Sequence, residues 1–94
     1  MPKVVWSDAA TDQLDFIIEY IELFDVKAAG KIAERLWNLG HSLASFPQRG
    51  RPVAGGAREL VGVRPYILRY VVEKDLILIV SIRHSAQQSP DHES

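Results

Sequence analysis

The hydrophobic and polar positions of this 94-residue chain change period several times, and each change marks an element. Lys3 to Trp6 is short, β-branched and aromatic, and predicts a strand. Ser7 follows as a helix N-cap, with Asp8 in the first turn, where the helix dipole favours a carboxylate. Leu14, Ile17, Ile18, Ile21 and Phe24 then recur at helical spacing. They predict an amphipathic helix from Asp8 to about Phe24, with Asp12, Asp15, Glu19 and Glu22 mostly on its outer face. Asp25 can cap a second helix, whose apolar stripe is Ala29, Ile32, Ala33, Leu36, Leu39 and Leu43 and which Pro47 stops. The join between the helices is very short, so they should fold back as a hairpin.

Gln48 to Ala57 is rich in glycine and proline and reads as a loop. Three strands follow: Arg58 to Val63, Tyr66 to Glu73 after a turn at Arg64-Pro65, and Leu76 to Arg83 after the tight turn Glu73-Lys74-Asp75. The expected order is β-α-α-β-β-β, an α+β fold with the helical hairpin packed on one face of a mostly antiparallel sheet. A single domain over residues 1–87 is expected, followed by a polar, disordered tail at 88–94.

Strand alternation sorts the side chains into two faces. Val61, Val63, Tyr66, Leu68, Tyr70, Val72, Leu76, Leu78, Val80 and Ile82 form an almost wholly apolar set, expected to face the helices. The opposite parity holds Arg58, Leu60, Gly62, Ile67, Arg69, Val71, Glu73, Ile77, Ile79, Ser81 and Arg83. Both helices are needed on the first face, which leaves the second uncovered within the chain. Apolar residues rimmed by arginine on an open sheet face suit a partner site, unless the tail or self-association covers them.

Composition narrows the function. Hydrophobic residues make up 47% and charged residues 24%, ordinary for a globular domain, and there is no cysteine. That excludes a disulfide framework and any thiolate metal site, and suits a reducing cytoplasm. The N-terminus lacks the apolar stretch of a signal peptide, and the longest apolar run, Leu76 to Val80, is too short to span a bilayer. The net charge of −1 hides an asymmetry. Residues 1–46 hold 4 Lys+Arg against 7 Asp+Glu, and residues 47–83 hold 7 against 3. The basic excess is Arg49, Arg51, Arg58, Arg64, Arg69, Arg83 and Lys74. Mostly guanidinium, it suits bidentate contact with carboxylates or phosphates and suggests an acidic partner.

Catalytic signals are sparse. Gly55-Gly56 fits no nucleotide fingerprint, and no cofactor or metal is expected: His41, His84 and His92 lie on a helix, a strand end and the tail. His84, beside the open face, is placed either as a general acid or base or as a packing residue. Trp6 and Trp37 read as core or helix–sheet packing.

The ordered set Pro47 to Pro52 (Pro-x-x-Gly-Arg-Pro), Arg58-Glu59-Leu60, Pro65 to Tyr70 (Pro-Tyr-x-x-x-Tyr) and Arg83-His84 resembles the C-terminal half of toxins of the ParE/RelE superfamily. The strand leading into Ser7-Asp8-Ala9-Ala10 and the helix pair fit as well, so the likeness covers Lys3 to about Gln87. The resemblance is closest to the ParE branch, and it implies a cytoplasmic bacterial toxin neutralised by a ParD-like antitoxin in a hetero-oligomer. The resemblance implies DNA gyrase as its target, poisoned by binding rather than by catalysis, with no sequence-specific nucleic-acid binding and no membrane role; a ParE-fold protein with weak or different toxicity is an alternative. RelE-like members instead cut ribosome-bound mRNA, with basic residues on the open face, after the hairpin-strand aromatic and just past the last strand, and usually a tyrosine or histidine in the tail. Arg58 fits one such position, whereas Leu60, Ile67 and Ser85 stand where further basic residues are expected, and the tail offers only His92. The residues carried forward as antitoxin- or target-binding are Arg58, Leu60, Ile67, Arg69, Val71, Ile77, Ile79, Arg83 and His84.

Overall fold

The computed structural model describes residues 2–86. Its elements are β1 (Lys3–Trp6), α1 (Asp8–Glu22), α2 (Val26–His41), β2 (Arg51–Pro52), β3 (Arg58–Val63), β4 (Tyr66–Glu73) and β5 (Leu76–His84). Both helices begin where the sequence predicts: Ser7 Oγ accepts the Ala10 N–H at 3.0 Å, and Asp25 Oδ1 accepts the Ala28 N–H at 3.0 Å. The strands form one sheet in the order β1-β5-β4-β3-β2, with β1 parallel to β5 and the other pairs antiparallel. The helical hairpin packs on one face, α1 against β5 and α2 against β3. The predicted α+β order is therefore present, with one addition. The two-residue β2, inside the segment read as a loop, pairs with the start of β3 and extends the sheet edge. The boundary drawn after residue 87, the tail and His92 lie outside the described residues.

The core joins Ala10 of α1, Leu36 and Leu39 of α2, and Leu43 just beyond it to Leu60, Leu68, Tyr70, Ile77, Ile79 and Ile82 of the sheet. Two glycines set how closely α2 approaches. A Cβ on Gly40 would stand 2.7 Å from the Trp6 ring, and one on Gly62 would stand 2.6 Å from Leu39 Cδ1. Trp6 also stacks on Trp37, with ring centroids 5.8 Å apart, the helix–sheet contact expected for these two residues. The Tyr70 hydroxyl accepts the Gly50 N–H at 2.8 Å and donates to the Pro47 carbonyl at 2.9 Å. It thereby ties the loop after α2 to the middle of the sheet.

Two sequence expectations fail here, each for a local reason. Phe24 is exposed rather than inward. α1 ends at Glu22, and Phe24 falls in the inter-helix turn, edge-on to Tyr20 at 5.3 Å. The second failure is larger. On β4 and β5, Arg69 lies opposite Ser81 but Tyr70 lies opposite Ile79, which leaves Val80 as a bulge. One extra residue inverts every side chain before it. Ile77 and Ile79, expected on the open face, point to the helices and are fully buried, while Leu76 and Leu78 take the opposite face. A similar irregularity between Leu60 and Val63 accompanies Leu60 packing in the core, opposite Leu68. Each isoleucine side chain brought inward adds about 1.5–3 kcal/mol of hydrophobic stabilisation.

The bulge disturbs the ladder, and α1 supplies partners. Ser7 Oγ donates to the Val80 carbonyl at 3.1 Å, and Gln13 Oε1 accepts the Ile82 N–H at 2.8 Å. Ser7 thus caps α1 and clamps the bulge with one hydroxyl. Ser7→Ala should therefore lower unfolding stability by about 1–2 kcal/mol, with Ser7→Thr recovering most of it. Urea unfolding checks this; an unchanged midpoint for Ser7→Ala would show that neither bond stabilises the fold.

Candidate functional site

The face of the sheet away from the helices carries a charged cluster centred on Glu59. Glu59 on β3 lies directly opposite Arg69 on β4, a cross-strand pair of opposite charge. Arg69 Nε and Nη2 donate to Glu59 Oε2 at 3.0 and 2.7 Å. Arg83 on β5 reaches the same carboxylate, with Nη1 to Oε2 at 2.9 Å and Nη2 to Oε1 at 3.4 Å. Arg51 of β2 approaches from the edge, 3.7 Å from Oε1. The Glu59 side chain is 3% exposed, those of Arg69 and Arg83 are 11% and 15% exposed, and that of Arg51 is 77% exposed. Three guanidinium groups thus meet at one carboxylate. The Arg83 Nε is buried without a hydrogen-bond partner among the described residues.

Burial pushes the Glu59 carboxyl up, but hydrogen bonds from Arg83 and Arg69, and their charges, outweigh it and hold the group below its ordinary 4.5. It is therefore a carboxylate at neutral pH, and the cluster is a preformed, rigid arrangement of charge.

The nine residues expected on or beside one open face separate into four groups. Ile67, Arg69, Val71 and Arg83 do lie there, with Ile67 opposite Arg83 and Val71 opposite Leu78. Leu60, Ile77 and Ile79 are buried under the helices, for the register reasons given above. Arg58 lies opposite Tyr70, on the helix side, where its Nη1 donates to the Gly50 carbonyl at 2.7 Å and clasps the loop before β2. His84 is exposed opposite Tyr66, its ring edge-on at 5.8 Å, and its Nδ1 accepts the Ala86 N–H at 3.0 Å.

Tyr66, Ile82, Arg83 and His84 line a groove with Asp12, Gln13, Phe16, Ile17 and Tyr20 of α1. From Phe16 and Tyr20 the exposed apolar run continues through Leu23 and Phe24 of the inter-helix turn to Val26 at the start of α2. Among the described residues no group of three His, Asp or Glu side chains is placed to hold a metal, and no helix is long and apolar enough to cross a membrane.

Residues 4–89 match the family model described as the ParE toxin of the type II toxin–antitoxin system parDE. The chain belongs to the ParE toxin family. Toxin RelE2 of Caulobacter vibrioides is 45% identical over 87 residues, covering 93% of this chain and 99% of RelE2. The protein Y4kP of Sinorhizobium fredii is 36% identical over 90 residues, covering 94% of this chain and 93% of its own. Among solved structures, a chain of the chromosomal ParDE system from P. aeruginosa superposes with a TM-score of 0.78 at 26% identity, covering 89% of this chain and 96% of that one. The family identification made from Pro47–Pro52, Arg58–Leu60, Pro65–Tyr70 and Arg83–His84 is thus borne out, as is its α+β fold.

Sequence reasoning missed Glu59 in this ParE-family chain. The available signal was a carboxylate inside an apolar strand, ten residues from an arginine on the neighbouring strand. The cluster predicts an acid dependence. Because the carboxyl is held below 4.5, its contribution to stability is complete at neutral pH and is lost as pH falls below that value through the folded-state pKa. Glu59→Gln should lower stability at pH 7 by about 1.5–3 kcal/mol and flatten the fall between pH 5 and about 3. Urea midpoints across that range decide it: parallel pH profiles for the two proteins would refute the assignment.

Proposed function

We propose that this ParE-family toxin acts by binding, with DNA gyrase in the cytoplasm as its target, and that a cognate antitoxin neutralises it by docking an acidic segment on the open sheet face. The observation that carries the binding mode is the engagement of Arg69 and Arg83 by Glu59. Cleavage of RNA by 2′-hydroxyl attack requires a base, an acid and cations available to the phosphate. On this face the guanidinium forks already meet a carboxylate, Leu60 is in the core, and Ile67 is apolar. The arginines of this face and the half-buried Val71 and Leu78 beside them suit an acidic segment with apolar anchors.

Purified protein is expected to inhibit gyrase supercoiling and to accumulate cleaved DNA, and to leave ribosome-bound mRNA intact. A ribonuclease reading draws on one feature, exposed His84 edge-on to Tyr66 beside the groove. Codon-positioned mRNA cleavage that disappears in His84→Gln would replace gyrase poisoning with that reading.

Antitoxin docking has its own measurement. Arg83→Ala should weaken antitoxin binding by about 2 kcal/mol, as arginine contacts at interface centres often do. Arg49→Ala, which touches Ser42 in the preceding loop, should change it little. Calorimetric affinities that are equal for the two variants would move the docking site off the open face.

A further inference from the structure

The three arginines around Glu59 are not equivalent. Arg69 and Arg83 are mostly buried and donate four hydrogen bonds to its carboxylate. A partner that drew either one away would weaken the pairing of a charge that is 3% exposed, which is unfavourable. Arg51 differs in both respects. Its side chain is 77% exposed, and its contact with Glu59 is a single one at 3.7 Å. When Arg51 turns toward a partner, Glu59 keeps its four hydrogen bonds from the other two.

The root of Arg51 is as firmly placed as its head is free. Arg51 lies opposite Glu59 in the β2–β3 register, and so on the open face. The Gly50 N–H donates to the Tyr70 hydroxyl at 2.8 Å, and the Gly50 carbonyl accepts from Arg58 Nη1 at 2.7 Å. A Cβ at residue 50 would stand 2.7 Å from the Glu59 carbonyl oxygen and 2.8 Å from the Tyr70 hydroxyl, so glycine lets the chain pass close to the sheet here. Beyond Pro52, the Val53 N–H donates to the Ala57 carbonyl at 2.9 Å. Side chains of β3 and β4 thus aim one exposed guanidinium at the rim of the face. One such group is a poor hold for a phosphodiester chain, whose affinity grows with the number of cations it engages. Nor do Ile67, Val71, Leu78 and Ser81 on this face offer an aromatic ring to stack on a base. A peptide gains from both parts: a carboxylate meets Arg51, and apolar side chains meet the half-buried Val71 and Leu78.

We infer that Arg51 is the residue through which the open face first engages the acidic segment of its partner: Arg51 steers the segment in, while Arg69 and Arg83 keep the face rigid through Glu59. The inference rests on the antitoxin docking proposed above and adds to it a residue and a division of labour. An exposed charge at a rim acts on the rate of encounter, whereas a paired and buried one acts on the lifetime of the complex.

The probe is the cognate antitoxin, co-purified with the toxin and separated from it in denaturant. Association and dissociation are followed by stopped-flow fluorescence at about 50 and 200 mM salt, where screening differs. Arg51→Ala is expected to slow association about fivefold at the lower salt and less at the higher, with dissociation within about twofold of wild type. Arg51→Gln should do the same, and Arg51→Lys should restore most of the rate, because steering depends on charge more than on the guanidinium fork. Arg49→Ala removes one charge from the preceding loop, where Arg49 touches Ser42, and should slow association far less. Arg83→Ala should instead hasten dissociation. Wild-type association by Arg51→Ala, with Arg83→Ala still weakening the complex, overturns this inference and leaves the docking face standing. No effect from either variant overturns both. Equal slowing by Arg51→Ala and Arg49→Ala would reduce Arg51 to its share of the net charge, and the inference fails.

Discussion

The register of β4 on β5 passes from Arg69 opposite Ser81 to Tyr70 opposite Ile79, and the unpaired Val80 between them governs both faces of the molecule. Behind the bulge, Ile77 and Ile79 enter the core beside Leu68 and Tyr70. Ahead of it, Ile82 still faces inward while Arg83 faces out toward Glu59. Without the extra residue, a strictly alternating β5 would turn either Ile77 and Ile79 or Ile82 away from the helices. Disturbed ladder groups under a helix are unfavourable unless something pairs with them. Here Ser7 and Gln13 do so, which anchors the start of α1 to the bulge and fixes how the hairpin lies on the sheet.

What could be read from the sequence follows the range of the physics involved. Helix starts at Ser7 and Asp25, the inter-helix turn, and the bounds of β1, β3 and β4 depend on neighbours a few residues away, and all were legible. Parity along β4 was legible because that strand has no internal irregularity: Leu68 and Tyr70 are buried under the helices and Arg69 is on the other face, as alternation requires. The faces of β3 and β5 were not, because a bulge leaves no mark in an apolar run such as Leu76 to Val80, where every residue suits either side. For the same reason Leu60, Ile77 and Ile79 were drawn into a candidate site that they do not enter.

Glu59 was illegible for a different reason. A carboxylate in a strand normally signals a solvated edge. Here it is buried because two arginines arrive from other strands, and that arrangement exists only once β3, β4 and β5 are aligned. An ion cluster of this kind is modest support for stability, since apolar residues of the same shape can serve as well. What it supplies is definition: the guanidinium planes of Arg69 and Arg83 are held in fixed orientations on one carboxylate. Arg58, one residue away, shows how little separates the two outcomes, because it faces the other side and is spent on the Gly50 carbonyl.

The sheet order places β1 beside β5, so the first strand of the described chain is completed by the last. The Ser7–Val80 hydrogen bond alone spans 73 residues. Contacts so distant in sequence form late, because the intervening chain must first be ordered. During synthesis, a chain that has emerged only as far as Asp75 lacks the partner strand for β1, half of the sheet's contribution to the core, and one of the two best-buried arginines of the charged face. The sheet and its core therefore close only when the last described strand is in place. The charged face is complete only once β5 has brought Arg83 to Glu59.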